Sequence, residues 1–314
     1  MMSGSTAGEP WRQTIAKAEI LLSEGEANED ISGIADAVSA FNAALKMVPR
    51  SEAPLDWAKT QSRLSAALRA LGARIDDPVM LHSAMTACDH ALEIYRVDAT
   101  PEDWARTVAL LGAAQVVLGE RDSDPAWLNA ALNSYRLATR VYTREAAPAD
   151  WARMQRNCGA VLSLQGERTG DTASLRDSID HYRAALDAYS RQESPIDVAI
   201  TQNNLGQALR VLGERDRDDD LLAEAVAACR AALAVYTRDA TPLEWAMAST
   251  NLGNALTALD DICSLDEAVA IYREAIAVLA GPARLQQRAI ARYNLSRAET
   301  RLSELRQSPS DHRQ

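Results

Sequence analysis

Asparagines recur through the second half of the chain at a spacing that a repeated structural element would impose. Asn157, Asn204 and Asn251 stand 47 residues apart, and Asn294 follows 43 residues later. A carboxamide carries both a hydrogen-bond donor and an acceptor, so one such side chain can satisfy a peptide unit by itself. The series indicates either a row of peptide-binding side chains or structural asparagines bonded to adjacent helices, and both interpretations stay open.

Residues suited to catalysis or to metal binding form no such series. The histidines are His82, His90, His181 and His312, and the cysteines are Cys88, Cys158, Cys229 and Cys263. No histidine can be matched with a nucleophile and an orienting group, and no cysteine pair has zinc-ligand spacing. The cysteines are typical of reduced thiols in an intracellular protein. We therefore expect a protein that is not an enzyme and that uses no metal or other cofactor.

Composition restricts the class of partner. The 314 residues include 33 Lys and Arg against 44 Asp and Glu, a formal charge of −11. This charge opposes general attraction to nucleic acid or to an anionic membrane surface. The chain has no apolar run of about 18 residues, and its first residues lack the pattern of a signal peptide. We expect a cytoplasmic protein that binds neither nucleic acid nor membrane.

The elements that position these residues follow from a repeat of 47 residues. Prolines fall at Pro54, Pro101, Pro148, Pro195 and Pro242, and glycines at Gly72, Gly119, Gly166 and Gly213. A short repeat cannot bury its apolar face alone, so neighbouring copies must stack into a solenoid. An extended stack of this kind is typical of a binding scaffold.

The sequence predicts two helices in each repeat. Thr241, Pro242 and Glu244 predict a capping box at the start of the first helix, with proline at its first position. In the first helix of the repeat before this one, apolar residues are spaced by three, four and seven positions, as on one face of a helix. Gly213 follows them and predicts a left-handed C-terminal cap. A polar loop and a second helix follow.

The second helix carries small and bulky residues at fixed positions. The small ones are Ala37, Ala84, Ala131, Ser178, Ala225 and Ala268, followed seven residues later by Ala44, Ala91, Ala138, Ala185, Ala232 and Ala275. The bulky ones between them are Phe41, Cys88, Tyr135, Tyr182, Cys229 and Tyr272, and Tyr95, Tyr142, Tyr189 and Tyr236 close the helix. Small residues on one face allow close helix approach, and we interpret the bulky stripe as core. We interpret Trp57, Trp104, Trp151 and Trp245 as packing residues and Trp127 as an exposed aromatic.

The pattern Leu205-Gly206-x-x-Leu209, followed by Ala225-x-x-x-Cys229-x-x-Ala232, resembles the tetratricopeptide repeat. The longer unit is similar to bacterial repeats of the kinesin light chain type. The resemblance implies an all-α, right-handed α-solenoid of about six helix-turn-helix repeats and a C-terminal capping helix. The predicted boundaries are 10–53, 54–100, 101–147, 148–194, 195–241 and 242–282, with the capping helix at 283–306 and disordered tails at 1–9 and 307–314.

The resemblance also implies a concave groove lined by the first helices. The stretch Asn203-Asn204-Leu205-Gly206 looks like one in kinesin light chains, where asparagines hold the backbone of an extended peptide. The basic residues at groove positions are Lys59, Arg63, Arg69, Arg106, Arg153, Arg156, Arg210, Arg297 and Arg301. No acidic residue falls at those positions, so we expect a basic groove that attracts an acidic segment. The alternative is that acids from neighbouring helices neutralise the arginines.

Two functions remain. The first is a protein-interaction scaffold or adaptor that holds an extended, acidic peptide or a partner protein in the groove. The second is a structural protein that assembles into homo-oligomers through its terminal helices or hairpin edges. Peptide binding should depend on groove residues and weaken with salt, whereas assembly should depend on protein concentration.

Overall fold

The predicted helical hairpins are present throughout the part of the chain that the computed structural model describes, residues 10–190, 194–280 and 284–307. The first helices are α1 (Pro10–Ala27), α3 (Pro54–Ile75), α5 (Pro101–Arg121), α7 (Pro148–Thr169), α9 (Pro195–Asp216) and α11 (Pro242–Ala258). Their partners are α2 (Ile31–Met47), α4 (Pro78–Leu92), α6 (Pro125–Ala138), α8 (Thr172–Tyr189), α10 (Asp219–Leu233) and α12 (Ile262–Val278). A last helix, α13 (Leu285–Gln307), follows, and these residues form no β-strand.

The chain divides into two compact units, unit 1 (Met1–Asp150) and unit 2 (Trp151–Gln314), with the boundary in the first turn of α7. In unit 1 each helix packs on the next, and α3 also contacts α1 and α5. In unit 2 the helices from α8 to α13 pack consecutively, and α11 also contacts α9 and α13. Each unit is therefore a stack of helical hairpins in which successive first helices touch. That the two units form one continuous array stays a prediction.

The start of the first helix was predicted in part. Proline stands at the first turn of α3, α5, α9 and α11, as expected. The capping box is wrong, because Thr241 makes no side-chain hydrogen bond to the helix. Its backbone has φ −138° and ψ 60°, and its hydroxyl instead accepts a hydrogen bond from the Thr237 N–H at 3.0 Å. The hydroxyl thus stabilises the preceding loop.

The repeated glycines have a different role from the predicted cap. Helix α9 continues past Gly213 to Asp216, and the left-handed residue is Arg217, with φ 57°. A Cβ added at Gly213 would lie 2.9 Å from Leu222 Cδ2 in α10, and one at Gly119 would lie 2.5 Å from Leu128 Cδ2 in α6. These distances are shorter than a van der Waals contact. The glycines are needed because the two helices of a hairpin approach closely there.

Aspartates, which the sequence analysis did not single out, cap the second helices. They stand at Asp30, Asp77, Asp124, Asp171, Asp218 and Asp261, and each side chain accepts a backbone N–H in the first turn. Asp218, for example, accepts from Asp220 and Leu221 at 3.0 and 3.1 Å. In the acidic stretch at 216–220, the residue with the capping role is therefore Asp218.

The predicted core is confirmed. All twelve small residues of the second-helix series are fully buried. The six bulky residues between them are also buried, as are the four tyrosines. Tyr189 ends α8 as predicted, whereas Tyr95, Tyr142 and Tyr236 lie three or four residues after the ends of α4, α6 and α10. Trp57 and Trp245 pack against buried clusters, and each is covered by an arginine, Arg50 at 4.3 Å and Arg238 at 4.4 Å from the ring centroid. Trp127 is half-buried, with its ring edge-on to His82 at 5.6 Å.

Helix α13 occupies the segment in which a capping helix was predicted, and it packs on α11 and α12. The predicted tails, 1–9 and 307–314, lie outside the described residues except for Gln307, which ends α13. Within the described ranges no helix combines the length and apolar character needed to cross a bilayer.

Candidate functional site

All the asparagines singled out in the sequence lie in unit 2, on α7, α9, α11 and α13. Asn251 Nδ2 donates a hydrogen bond to Asn203 Oδ1 at 3.0 Å, which joins α11 to α9. Asn294 Nδ2 donates to Asn254 Oδ1 at 2.8 Å, which joins α13 to α11. The exposed side of these four helices that carries the asparagines is called the first-helix face of unit 2. On this face, Asn251 and Asn294 are partly engaged with neighbouring helices.

Asn157 and Asn204 differ from the other two members of the series. Both are half-buried, and neither makes a side-chain hydrogen bond within the residues that the structure describes. A carboxamide that is partly shielded from water and has no internal partner can bond an incoming peptide unit through its donor and its acceptor. These two side chains are therefore the ones best placed to do so.

A pocket of about 280 Å³ lies between α9, α11 and α13 on the same face. It is lined by Arg210, Glu214, Asn254, Thr257, Ala258, Tyr272, Asn294 and Arg297. The Tyr272 hydroxyl donates to Asn254 Oδ1 at 2.7 Å. Burial raises the pKa of Tyr272 to about 12, so this hydroxyl keeps its proton at neutral pH. We call this the α11 pocket.

In the part of the chain that the structure describes, at least six of the nine basic residues assigned to the groove are ion-paired with acids of this chain. The pairs are Arg63 with Glu19 at 3.2 Å, Arg69 with Glu26 at 3.9 Å, Arg106 with Asp103 at 2.8 Å, Arg156 with Asp197 at 2.7 Å, Arg210 with Glu214 at 2.7 Å, and Arg301 with Asp260 at 2.6 Å. The structure therefore contains the internal neutralisation that the sequence left open as the alternative to a free basic groove. Arg156 is the most enclosed, with its side chain 13% exposed.

The other three basic residues are in different settings. Lys59, in α3, is exposed and makes no ion pair within the described residues. Arg153 is exposed on α7. Arg297 is exposed on α13, makes no ion pair in the same ranges, and lies over the Tyr293 ring at 5.9 Å. Lys59, Arg63 and Arg106 belong to unit 1, whereas the asparagines belong to unit 2.

Asn254 was missed in the sequence analysis. It lies three residues after Asn251 in α11, and this spacing places the two side chains on one face of the helix. That spacing was the available signal. Its importance comes from Tyr272 and Asn294, which converge on it from two other helices.

The tripeptide Gly-Glu-Arg recurs near the ends of three first helices, at 119–121, 166–168 and 213–215, and its arginines at 121 and 215 have a structural role. Arg215 donates to the carbonyl oxygens of Gly166 at 2.7 Å and Glu167 at 2.8 Å, near the C-terminal end of α7. Arg121 bonds the equivalent carbonyls of α3 at 3.2 and 3.0 Å. These arginines add a side-chain donor to carbonyls in the last turns of α7 and α3, where Gly166 and Gly72 also accept a backbone N–H. The element therefore joins successive first helices.

The titratable and metal-ligating side chains of the described residues are dispersed, and three of the four cysteines are buried. Within the described ranges, no three or more His, Cys, Asp or Glu side chains converge where they could hold a metal ion. Burial raises the pKa of the Cys88 and Cys229 thiols to about 12, which disfavours the reactive thiolate. The features that can act on a ligand are hydrogen-bonding amides and guanidinium groups.

No family model matches the chain, and no curated relative matches it. Among solved structures, Acl4, an assembly chaperone of RpL4 (residues 1–338), has a TM-score of 0.53 at 14% identity, covering 94% of this chain and 98% of that chain. BtubC (BKLC) from P. vanneervenii has a TM-score of 0.45 at 16% identity, covering 97% of this chain and 96% of that chain. The likeness to Acl4 shows the fold. The chain is an all-helical tandem-repeat protein with tetratricopeptide-like hairpins, and its assignment to the long bacterial variant stays a prediction.

Proposed function

We propose that this protein is an interaction scaffold that holds an extended peptide, or an extended segment of a partner protein, along the first-helix face of unit 2. The observation that carries the proposal is the pair Asn157 and Asn204, which are half-buried and whose side chains make no hydrogen bond to another residue that the structure describes. An extended peptide presents N–H and C=O groups that these amides can bond, whereas a folded partner offers few such groups.

We also propose that the ligand is acidic at one place, near a single exposed arginine, and not along a continuous basic groove. Because Arg156 and Arg210 already contact carboxylates, they add little net attraction. Arg297 is the exposed guanidinium of this face that makes no ion pair within the described part of the chain. The acidic residue of the ligand is therefore expected near α13, at the α11 pocket.

Affinity capture from the native lysate tests the proposal. The full chain is compared with the double variant Asn157→Ala/Asn204→Ala and with the control Asn42→Ala/Asn133→Ala, in which both asparagines are exposed on second helices. Each lost hydrogen bond costs about 1 kcal/mol, so two amides that each make two bonds should change the affinity by well over tenfold.

A partner that is retained by the wild type and the control, and lost by the double variant, supports the proposal. Equal capture by all three chains refutes the asparagine-based site. Self-assembly, the alternative function, stays a prediction, and it is measured separately by sedimentation velocity over a range of protein concentrations.

A further inference from the structure

The α11 pocket presents hydrogen-bond donors. Asn254 Oδ1 accepts from both Tyr272 and Asn294, so the orientation of this amide is set by two neighbours. Its Nδ2 has no acceptor within the described residues and is available to a ligand. Arg297 supplies further N–H groups on the rim. A group that fits these donors must be an acceptor.

The charges of the pocket select an anion among such acceptors. Arg210 and Glu214 neutralise each other at 2.7 Å, which leaves the positive charge of Arg297 without a counterpart among the lining residues. A carboxylate would balance that charge and could accept from Asn254 Nδ2 and from the guanidinium together. Such charge-assisted bonds are stronger than neutral ones.

The three helices that form the α11 pocket also carry a row of apolar side chains at one position of the repeat. At one position of the repeat, the residues in the earlier first helices are Lys59, Arg106 and Arg153, and those in the later ones are Ile200, Met247 and Ile290. Met247 is 46% exposed and Ile290 is 50% exposed. Ile200 is half-buried and packs against a buried cluster, so Met247 and Ile290 are the members of the row that can contact an apolar ligand side chain. The change from charged to apolar residues falls within unit 2.

On each of α9, α11 and α13, the apolar residue of the row is followed by two polar residues, four and then seven positions later. These sets are Ile200-Asn204-Gln207, Met247-Asn251-Asn254 and Ile290-Asn294-Arg297. Residues at this spacing share one face of a helix. Met247 and Asn254 are therefore about 10.5 Å apart along the axis at 1.5 Å per residue. An extended peptide covers that distance in about three residues.

We propose that the α9–α11–α13 part of this face recognises its ligand through two side chains, an Asp or Glu carboxylate in the α11 pocket and an apolar side chain on the row led by Met247. The two lie two to four residues apart in the ligand, and asparagine amides hold the backbone between them. This inference rests on the proposed function, because it assumes that an extended peptide occupies the face.

Selection of random 12-residue peptides displayed on phage, against the immobilised full chain, tests the inference. Parallel selections use Arg297→Gln with the control Arg292→Gln, and Met247→Ser with the control Ile262→Ser. Arg292 is exposed on α13 and five residues from Arg297, which places it about 140° around a helix of 3.6 residues per turn. Ile262 is exposed at the start of α12.

The expected wild-type result is enrichment of an acidic residue two to four positions from an apolar one. Arg297→Gln should lose the acidic preference and keep the apolar one, Met247→Ser should do the reverse, and both controls should match the wild type. A synthetic peptide from the selection should bind at least about tenfold more weakly when its acidic residue is replaced by the amide. Amidation of its C-terminus should leave the affinity unchanged.

Three results would overturn the inference. The first is enrichment of peptides without any acidic and apolar pair on the wild type, together with their loss on Asn157→Ala/Asn204→Ala; this result leaves the proposed function standing. A loss of binding on C-terminal amidation would assign the pocket to a terminal carboxylate instead. Finally, equal enrichment on the wild type and on Asn157→Ala/Asn204→Ala would refute the proposed function itself. Thermal unfolding of each variant establishes that it is folded.

Discussion

Gly253 lies inside α11 where this helix packs on α12, and its replacement by alanine tests why the repeat carries glycine at such positions. Helix propensity alone favours Gly253→Ala by about 1 kcal/mol. The added Cβ would, however, lie 2.6 Å from Tyr272 Cε1 and 2.7 Å from Cζ, whereas carbon atoms pack at about 3.5–4.0 Å. Tyr272 is 1% exposed, and its hydroxyl is held by a hydrogen bond to Asn254.

The helices must therefore separate, or the ring must shift, by about 1 Å to restore a normal contact distance. Overpacking of this kind costs about 1–3 kcal/mol, and a shifted Tyr272 also weakens its hydrogen bond to Asn254, which contributes about 1 kcal/mol. The steric cost and the lost bond together exceed the gain in propensity. We expect Gly253→Ala to lower the free energy of unfolding by about 2 kcal/mol, within the range that core overpacking produces.

Urea unfolding followed by far-UV circular dichroism measures this change. The matched control is Gly33→Ala in α2, where the added Cβ would meet the end of the exposed Asp30 side chain at 2.9 Å. That carboxylate is exposed but also caps α2 by accepting from the Ser32 N–H, so a weakened cap offsets the gain in helix propensity. Gly33→Ala should therefore keep the free energy of unfolding within about 1 kcal/mol of the wild type. If Gly253→Ala proved as stable as the wild type, close packing would not be the reason for the glycine.

Three further outcomes follow from contacts in the structure. Arg215→Ala should lower the free energy of unfolding by about 1.5–3 kcal/mol, because a charged donor to two helix-end carbonyls is lost. Differential scanning calorimetry measures this change, and the control variant Arg217→Ala should be nearly as stable as the wild type. Asp218→Ala should cost about 1 kcal/mol through loss of the α10 cap, and an unchanged urea midpoint would contradict this. Iodoacetamide at pH 8 should label the native protein at the exposed Cys263 and leave Cys88 unlabelled, because burial raises the pKa of the Cys88 thiol to about 12. Mass spectrometry of the digested protein measures the labelled fraction of each cysteine.

Much of the architecture could be predicted from the sequence because repetition makes local signals add. One proline at Pro242 would be a weak indication of a helix start, but five at a constant spacing specify the repeat length and the first helices together. The alanine and tyrosine positions of the second helix were predicted for the same reason. Each recurs six or four times against the same neighbours, so the pattern itself reports burial.

The repeat pattern did not predict which of the candidate site residues have hydrogen-bond or ion-pair partners. Asn157 and Asn204 recur in the sequence with Asn251. The spacing cannot distinguish the first two, whose side chains have no partner among the described residues, from the third, which bonds Asn203. The same holds for Arg156, whose charge is paired with Asp197 about forty residues later in the chain. Whether a side chain is free depends on neighbours contributed by other helices.

What the sequence by itself determined is the repeat, the helix starts and the buried face, because these depend on residues near each other in the chain. Only the tertiary structure decided that Gly213 is a contact point between helices instead of a cap, since its environment is formed by Leu222 from the next helix. The same is true of the α11 pocket, where Asn254, Tyr272 and Arg297 meet from three helices. Hydrogen bonds and ion pairs act over a few ångströms in space, and helix packing sets which residues come that close.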